Sequence, residues 1–588
     1  MMKAGDPTAA WLAQFDAALS SGNVDAVADL FAETSYWRDL LAFTWNVKTV
    51  EGRDGVADML RATLAGTGPS GWTLEEVIEE TGSGSEAWIS FETKLGRGRG
   101  HLRLRDGKCW TLLTALEELK GFEEKKGSNR INGVEHRADR DRRTWLENRK
   151  AEEAELGVTR QPYCLIIGGG QGGIALAARL GRLGVPTLIV EKNEKPGDSW
   201  RNRYRSLVLH DPVWYDHLPY LPFPDDWPVF TPKDKMGDWL EAYAKIMELN
   251  YWGSTECTNA RYDETAKQWT VTVLRGGAEM VLKPKILVFA TGAYGYPRTI
   301  DFPGAESFRG EMFHTSAYRT GAAYTGRKCV VIGAGSSAHD IAVDLWEHGA
   351  DVTMIQRSPS IVVRSETLME YGFKGAYSEE ALARGITTDK ADLLSASIPY
   401  RLTPDFQRPL NEKIARVDSE FYEGLTRAGF LWDFGPDGSG LLAKAFRTAS
   451  GYYIDVGASS LIIDGEIGVV SGKQIDSIGE REIRFADGSA IEADVIVQAT
   501  GYGSMEGMVS HLISPEVAEK IGPFWGYGSG VPGDPGPWEG EIRNMWKPTK
   551  QEALWFHGGN LHLSRHYSIV VSLQIKARME DLPTPIYW

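Results

Sequence analysis

Two glycine-rich turns hold the residues of this chain best placed to do chemistry. The first, Gly168-Gly-Gly170-Gln-Gly-Gly173, follows the apolar run Tyr163-Cys-Leu-Ile-Ile167, and the second, Gly333-Ala-Gly335-Ser336-Ser337-Ala338, follows Cys329-Val-Val-Ile332. Glycines let the backbone turn tightly and approach a pyrophosphate, whose charge is met by the N-terminus of the helix that follows. After the first turn, the next apolar run, Thr187-Leu-Ile-Val190, ends on Glu191. A carboxylate there accepts hydrogen bonds from ribose hydroxyls, which suits an unphosphorylated ribose, as in FAD or NAD. After the second turn, Asp351-Val-Thr-Met-Ile355 ends on Gln356 and Arg357. A guanidinium at that point pairs with a 2′-phosphate, as NADPH carries. Ala338 fills a position where only a small side chain is needed for helix-to-strand packing.

The elements that must position these turns are legible in outline. With 588 residues and a prior of about 150 residues per domain, the chain is multidomain. From about Thr8 to Leu64 the pattern is helical, with Trp11, Leu12, Phe15 and Leu19, then Val24, Val27, Leu30 and Phe31, at spacings of three and four. Strand-like segments follow at Gly71-Trp-Thr-Leu, Ala87-Trp-Ile-Ser-Phe, His101-Leu-Arg-Leu and Cys109-Trp-Thr-Leu-Leu. This is a small α+β domain over 1–120, resembling the cone-shaped NTF2-like (SnoaL-like) fold. Trp37 and Asp39 within it are read as structural. A charged linker spans 121–160. Two Rossmann-like α/β domains are expected to follow, the second inserted in the first: 161–300 with 480–588 carry the first dinucleotide turn, and 301–479 the second. The turns Thr291-Gly292 and Thr500-Gly501 are similar to those where such flavoproteins pass between domains beside their cofactors.

Composition narrows the partners. Net charge −16, with 42% hydrophobic and 24% charged residues, disfavours nucleic acid and anionic membrane surfaces and points to small molecules. No apolar run of about 18 residues and no signal peptide is legible, so a cytoplasmic protein is expected. The four cysteines, Cys109, Cys164, Cys257 and Cys329, form no CxxC pair and no metal spacing. That separates the chain from two-dinucleotide flavoproteins that pass electrons to a disulfide.

Between the two units lies Phe308-Arg-Gly310-Glu-Met-Phe-His314-Thr-Ser-Ala-Tyr318, which fits FxGxxxHxxxY. That motif resembles the identifying sequence of class B flavin-containing monooxygenases. The likeness extends to Glu191-Lys192, Gly197-Asp-Ser-Trp200-Arg201, Leu207-Val-Leu-His210-Asp211, Gln356-Arg357-Ser-Pro359 and Asp455-Val-Gly457. Several of these are similar to YUCCA-type and microbial type II members. The resemblance implies FAD on the first unit and NADPH on the second, and it adds Lys192, Trp200 and Arg201 to the cofactor-binding set. NADH is accepted by some relatives, so strict selectivity is not implied. It further implies that NAD(P)H-reduced flavin and O2 form a C4a-(hydro)peroxyflavin that oxygenates a small organic substrate. A ketone or 2-oxo acid (Baeyer–Villiger-type chemistry) is slightly favoured over N- or S-oxygenation.

Three residues stand out as candidates for the catalytic region. His210 takes the place of an asparagine found in mammalian-type members near the flavin edge, and Asp211 adjoins it. The protonation of His210 bears on whether the oxygenating species is nucleophilic or electrophilic. His314 is expected to organise the linker beside the nicotinamide and not to donate a proton to substrate. The alternative is an NAD(P)H oxidase or flavin reductase that releases H2O2, and the N-terminal domain suggests a homodimer formed through its sheet.

Overall fold

In the computed structural model, residues 7–81, 84–292 and 296–588 are described. The N-terminal domain is one six-stranded sheet in the order Val47–Glu51, Phe31–Leu40, Lys108–Leu119, Gly96–Arg105, Gly84–Glu92, Ser70–Thr81. The central pair Phe31–Leu40 and Lys108–Leu119 is parallel and the others are antiparallel. Helices Pro7–Ser20, Val24–Asp29 and Gly52–Thr67 cover one face. The helical reading of 8–64 is therefore corrected between 31 and 51. There the chain forms two strands, because Tyr36, Trp37, Leu40 and Val47 are buried by sheet pairing. Phe15, Phe31, Trp37, Trp72 and Phe91 build the core, with Phe31 stacked on Trp37 at 5.7 Å and Trp72 on Phe91 at 4.6 Å. Gly98 makes room for this layer, since a Cβ there would stand 2.5 Å from the Phe91 ring.

The linker contains one helix, Trp145–Glu155, opened by a capping box: the Thr144 Oγ1 accepts from Glu147 N, and the Glu147 carboxylate accepts from Thr144 N. Each glycine turn then lies at the end of a five-stranded parallel sheet. The first sheet runs Leu554–Phe556, Ile286–Phe289, Cys164–Ile167, Thr187–Val190, Tyr251–Trp252. The second runs Glu311–His314, Val495–Gln498, Lys328–Ile332, Asp351–Gln356, Ile467–Ser471. Continuous apolar runs suit strands covered on both faces. The boundary expected at 480 needs correcting. Val495–Gln498 pairs with Lys328–Ile332 in the second sheet, and the chain rejoins the first sheet only at Leu554. An apolar run such as Val-Ile-Val fits either sheet, so its owner is not legible from composition.

One element joins the three bodies. The terminal helix Leu561–Met579 has 16 buried residues and lies on the helix of the first turn, Gln171–Arg182, and on the N-terminal strand Lys108–Leu119. Beside it, Arg38 of the N-terminal domain is 2% exposed and Glu541 1%. Arg38 Nε and Nη2 each donate to a Glu541 oxygen at 2.7 Å, Nη2 also donates to Tyr567 OH at 2.9 Å, and Nη1 to Ala396 O at 2.7 Å. Thr49 Oγ1 donates to Glu541 Oε1 at 2.6 Å. Among the described residues no helix is long and apolar enough to cross a membrane.

Removing one member of such a buried pair leaves an uncompensated charge. Glu541→Gln should therefore cost about 3–5 kcal/mol, read by calorimetry as a fall in the first melting transition. Arg38→Met with Glu541→Leu should recover most of that loss. A Glu541→Gln protein that melts like the wild type would contradict this.

Candidate active site

At the first turn the backbone leaves no room for side chains where a dinucleotide must approach. Gly168 has φ +105°, and a Cβ would stand 2.5 Å from Ala290 O; at Gly173 it would collide with Gly168 O. Gly170 caps the helix Gln171–Arg182 and brings no side-chain acceptor, so the first-turn amides are left without a side-chain cap. Glu191 is buried and accepts from Gly169 N at 2.7 Å and from Asn193 N and Nδ2 at 2.9 and 2.7 Å, fixing its carboxylate beside the turn. Trp200 Nε1 donates to Gln171 Oε1, and Gln171 Nε2 donates to Gly559 O. Gly292 packs against Gly558, while Thr291 Oγ1 reaches Met508 Sδ. Lys192 is exposed. Arg201 is committed elsewhere: its guanidinium donates to Asp198, Asp238, Glu241 and Pro196 O, bracing its own loop.

The second turn repeats the geometry. Gly333 has φ +134°, where any Cβ would collide with Ala499 O, and Gly335 opens the helix Ser336–Glu347 without a side-chain cap. Ser336 Oγ donates to Tyr452 O, and Ser337 follows it at the start of the same helix. Gln356 is buried and pins Leu431, whereas Arg357 is exposed at the ribose-facing strand end. Thr500 Oγ1 donates to Arg298 O, and Gly501 has φ +79°.

The candidate catalytic residues lie where the units meet. His210, from the first unit, places Nε2 3.4 Å from Asp340 Oδ1 on the second turn's helix. Tyr204 OH donates to Asp340 Oδ2 at 2.6 Å, and Tyr453 sits edge-on to His210 and stacked on His339. Burial disfavours the His210 cation, but the facing Asp340 carboxylate outweighs it and raises its pKa. Burial raises the Asp211 pKa against the opposing influence of His210, His562 and Asn560, the last being the cap of the terminal helix. Asp216 is 1% exposed with neither oxygen hydrogen-bonded, and burial, reinforced by Asp211's charge, pushes its carboxyl well above the carboxylate range. His314 lies at the other clamp: Nε2 donates to Gly501 O at 2.8 Å and Nδ1 accepts from Ser316 N, while burial lowers its pKa. It ties the inter-unit strand to the second crossing, which is a positioning role.

Asp340, Tyr204 and Tyr453 escape a reading of the sequence because nothing local marks them; only the Ser336–Glu347 helix brings Asp340 to His210. A signal does exist for the terminal helix. His562, Arg565 and His566, three and four apart, share a face, and Arg565 is paired with Asp392 at 2.8 Å.

Known proteins share this architecture. Residues 165–397 match the model of pyridine nucleotide-disulphide oxidoreductases, and residues 12–112 match that of the SnoaL-like domain. Indole-3-pyruvate monooxygenase YUCCA1 of Oryza sativa subsp. japonica is 31% identical over 360 residues, 61% of this chain and 80% of its own length. The chain belongs to the YUCCA-type flavin monooxygenase family. A probable indole-3-pyruvate monooxygenase of Arabidopsis thaliana, YUCCA3, is 31% identical over 348 residues, 58% of this chain and 73% of its own. Epsilon-caprolactone-bound cyclohexanone monooxygenase shares the fold at TM-score 0.51 and 20% identity, covering 71% of this chain and 88% of that one. The OTEMO complex with FAD and NADP does so at 0.50 and 20%, covering 72% and 87%. This flavin monooxygenase is thus an enzyme that uses FAD and NADPH, with a SnoaL-like domain at its N-terminus. The disulphide in the family description has no counterpart among its cysteines: Cys109, Cys164, Cys257 and Cys329 are buried free thiols, and burial raises every one.

The His210–Asp340 pair gives the monooxygenase a pH signature. A folded pKa above the unfolded value makes the pair's stabilisation complete below about 6.5, and it is lost as pH rises through the folded value. Asp340→Asn removes the partner and leaves burial unopposed. An NMR titration of the His210 ring should then show a lower midpoint than in the wild type; an unchanged one would disprove the coupling.

Proposed function

We propose that the enzyme oxygenates a carbonyl compound at the junction of its two dinucleotide units, with FAD on the Gly168–Gly173 turn and Glu191 at its ribose. NADPH occupies the turn at Gly333, Gly335, Ser336 and Ser337, its 2′-phosphate against Arg357. Glycines that admit no Cβ and helix ends without side-chain caps support both placements. Reduced flavin, when bound, supplies the oxygen chemistry: one atom of O2 enters the substrate, the other leaves as water, and NADPH gives the two electrons. The chain's own part is to orient, to exclude water and to place charge.

The observation that carries the carbonyl reading is the His210–Asp340 pair. The Asp340 carboxylate raises the His210 pKa and so favours its cation, which as a hydrogen-bond donor would keep its proton better than a free imidazolium. Such a donor stabilises an anionic, nucleophilic oxygen, which attacks carbonyl carbon; a proton given away would favour attack on amines and sulfides instead. The relatives' names support this, since the YUCCA enzymes are indole-3-pyruvate monooxygenases and a fold neighbour is cyclohexanone monooxygenase. The four buried free thiols fit a cytoplasmic location. A homodimer must use a face other than the one carrying Arg38, Thr49 and Arg103, which is packed on the chain's own residues.

Two measurements test this. In the presence of a turned-over ketone, product should form in near-equal amount to NADPH consumed, with little H2O2; NADPH consumption matched by H2O2 would make the protein an oxidase. Arg357→Ala removes a charge-assisted bond worth about 1.5–3 kcal/mol. KM for NADPH should rise about 10- to 100-fold while KM for NADH stays put, and parallel rises for both would remove Arg357 from phosphate recognition.

A further inference from the structure

Arg357 stands on a loop that is fastened at both ends. Arg357, Ser358 and Pro359 are exposed, whereas Gln356 before them and Ser360 after them are only 1% and 4% exposed. Gln356 closes the strand Asp351–Gln356, and its carboxamide reaches out of the sheet to a distant segment. Nε2 donates to Leu431 O at 2.7 Å, while Oε1 accepts from Leu431 N at 2.7 Å and from Ser471 Oγ at 3.1 Å. The Gln356 carbonyl accepts from Gly472 N at 2.7 Å. At the other end, Ser360 N donates to the same Leu431 carbonyl at 3.1 Å, and Ser360 Oγ donates to Ala334 O, inside the second glycine turn, at 2.7 Å. One carbonyl thus receives both ends of the loop, and the far end is tied to the turn itself.

Leu431 is a firm anchor. It lies in a helical excursion, 388–448, that the chain makes between the paired strands Ile361–Arg364 and Tyr452–Asp455. Phe430 beside it is buried, and Tyr422, packed on Trp432 at 4.2 Å, donates its OH to Val362 O at 2.9 Å. Phe430 and Tyr422 belong to the hydrophobic core of the second unit, so the backbone at 431 cannot drift without disturbing that core.

The loop so held has a group to present. The Arg357 guanidinium makes no hydrogen bond, ion pair or ring contact among the described residues, whereas Arg38 and Arg201 are each committed to carboxylates. A charge-assisted bond to a phosphate is weakened by whatever ordering it demands when it forms. A loop whose backbone is fixed beforehand leaves only the arginine side chain to be ordered.

We propose that Gln356 and Ser360 are positioning residues for coenzyme choice: by hanging the Arg357 loop on the Leu431 carbonyl, they hold the guanidinium where the 2′-phosphate of an adenine dinucleotide meets the second turn. The inference rests on the reading of Arg357 as the phosphate's partner and extends it to the residues that make this arginine selective. On this assignment the helical excursion, 75 residues along the chain from Gln356, takes part in recognising the coenzyme.

The test uses the full-length, FAD-loaded enzyme and two probes that differ only in the 2′-phosphate: adenosine 2′,5′-bisphosphate and 5′-AMP. Calorimetry gives the affinity of each. The wild type should prefer the bisphosphate about tenfold or more, and Arg357→Ala should abolish that preference. Gln356→Met, which keeps the length and removes all three side-chain hydrogen bonds, should cut the preference about fivefold, and Ser360→Ala about threefold, each with 5′-AMP affinity unchanged. Retained FAD and an unchanged melting profile certify the variants. Ser360→Ala, which deletes one bond and almost no bulk, carries the test alone if Gln356→Met fails to fold. Folded Gln356→Met and Ser360→Ala proteins that keep the wild-type preference, beside an Arg357→Ala protein that loses it, would overturn the positioning role and leave Arg357 as the phosphate's partner. Equal weakening of both probes would also overturn it, because the residues would then serve the whole site. A wild type without preference, or one that survives Arg357→Ala, would instead sink the underlying reading of Arg357.

Discussion

The buried pairing of Arg38 with Glu541 is the constraint on which the arrangement of this protein depends. A guanidinium and a carboxylate withdrawn from water cost several kcal/mol each unless their remaining hydrogen-bonding capacity is met. Here it is met by Tyr567, Thr49 and the Ala396 carbonyl, contributed by three separate parts of the chain. None of these partners is close in sequence to Arg38 except Thr49. Satisfying the charge therefore fixes the N-terminal sheet, the helical excursion and the terminal helix relative to one another. The terminal helix, gripped at Tyr567, begins at Asn560, beside the first glycine turn. A contact in the N-terminal domain thus sets where the cofactor turn meets the rest of the molecule.

The two dinucleotide units are joined by a second kind of constraint, hydrogen bonds across the seam. His210 and Tyr204 of the first unit converge on Asp340 of the second, and His314 holds Gly501 at the crossing. Both histidines are partly withdrawn from solvent, with opposite results. His210 has a carboxylate to favour its cation, and His314 has only a carbonyl and a hydroxyl, so burial prevails. One seam thereby favours a protonated imidazole at His210 and disfavours one at His314. That division suits a site that must stabilise developing negative charge while keeping water out.

How much of this is legible in the sequence follows from the range of each interaction. The glycine turns, their strands and the charges ending those strands are local patterns, and they are legible together with the order of the units and the SnoaL-like domain. His210, Asp211 and His314 are reachable because they sit in short motifs. Asp340 and Asp392 are not, because their partners lie far along the chain; Arg565 is 173 residues from Asp392, and Arg38 is 503 from Glu541. The strands at 31–51 pass for helix because helical spacing and buried alternation coincide over so few residues. The owner of Val495–Gln498 is hidden because parallel strands buried on both faces look alike. Arg201, a residue in a resembling motif, is engaged by Asp198, Asp238 and Glu241, partners that no local pattern announces.

The reaction of the reduced enzyme with oxygen is the most direct test of the junction as the site of oxygenation. Substrate-free protein loaded with FAD and reduced by NADPH would be mixed rapidly with oxygenated buffer while the flavin spectrum is followed. A long-lived species absorbing in the near ultraviolet, appearing before oxidised flavin, is the result predicted for such a junction. Immediate return to oxidised flavin with stoichiometric H2O2 would contradict it.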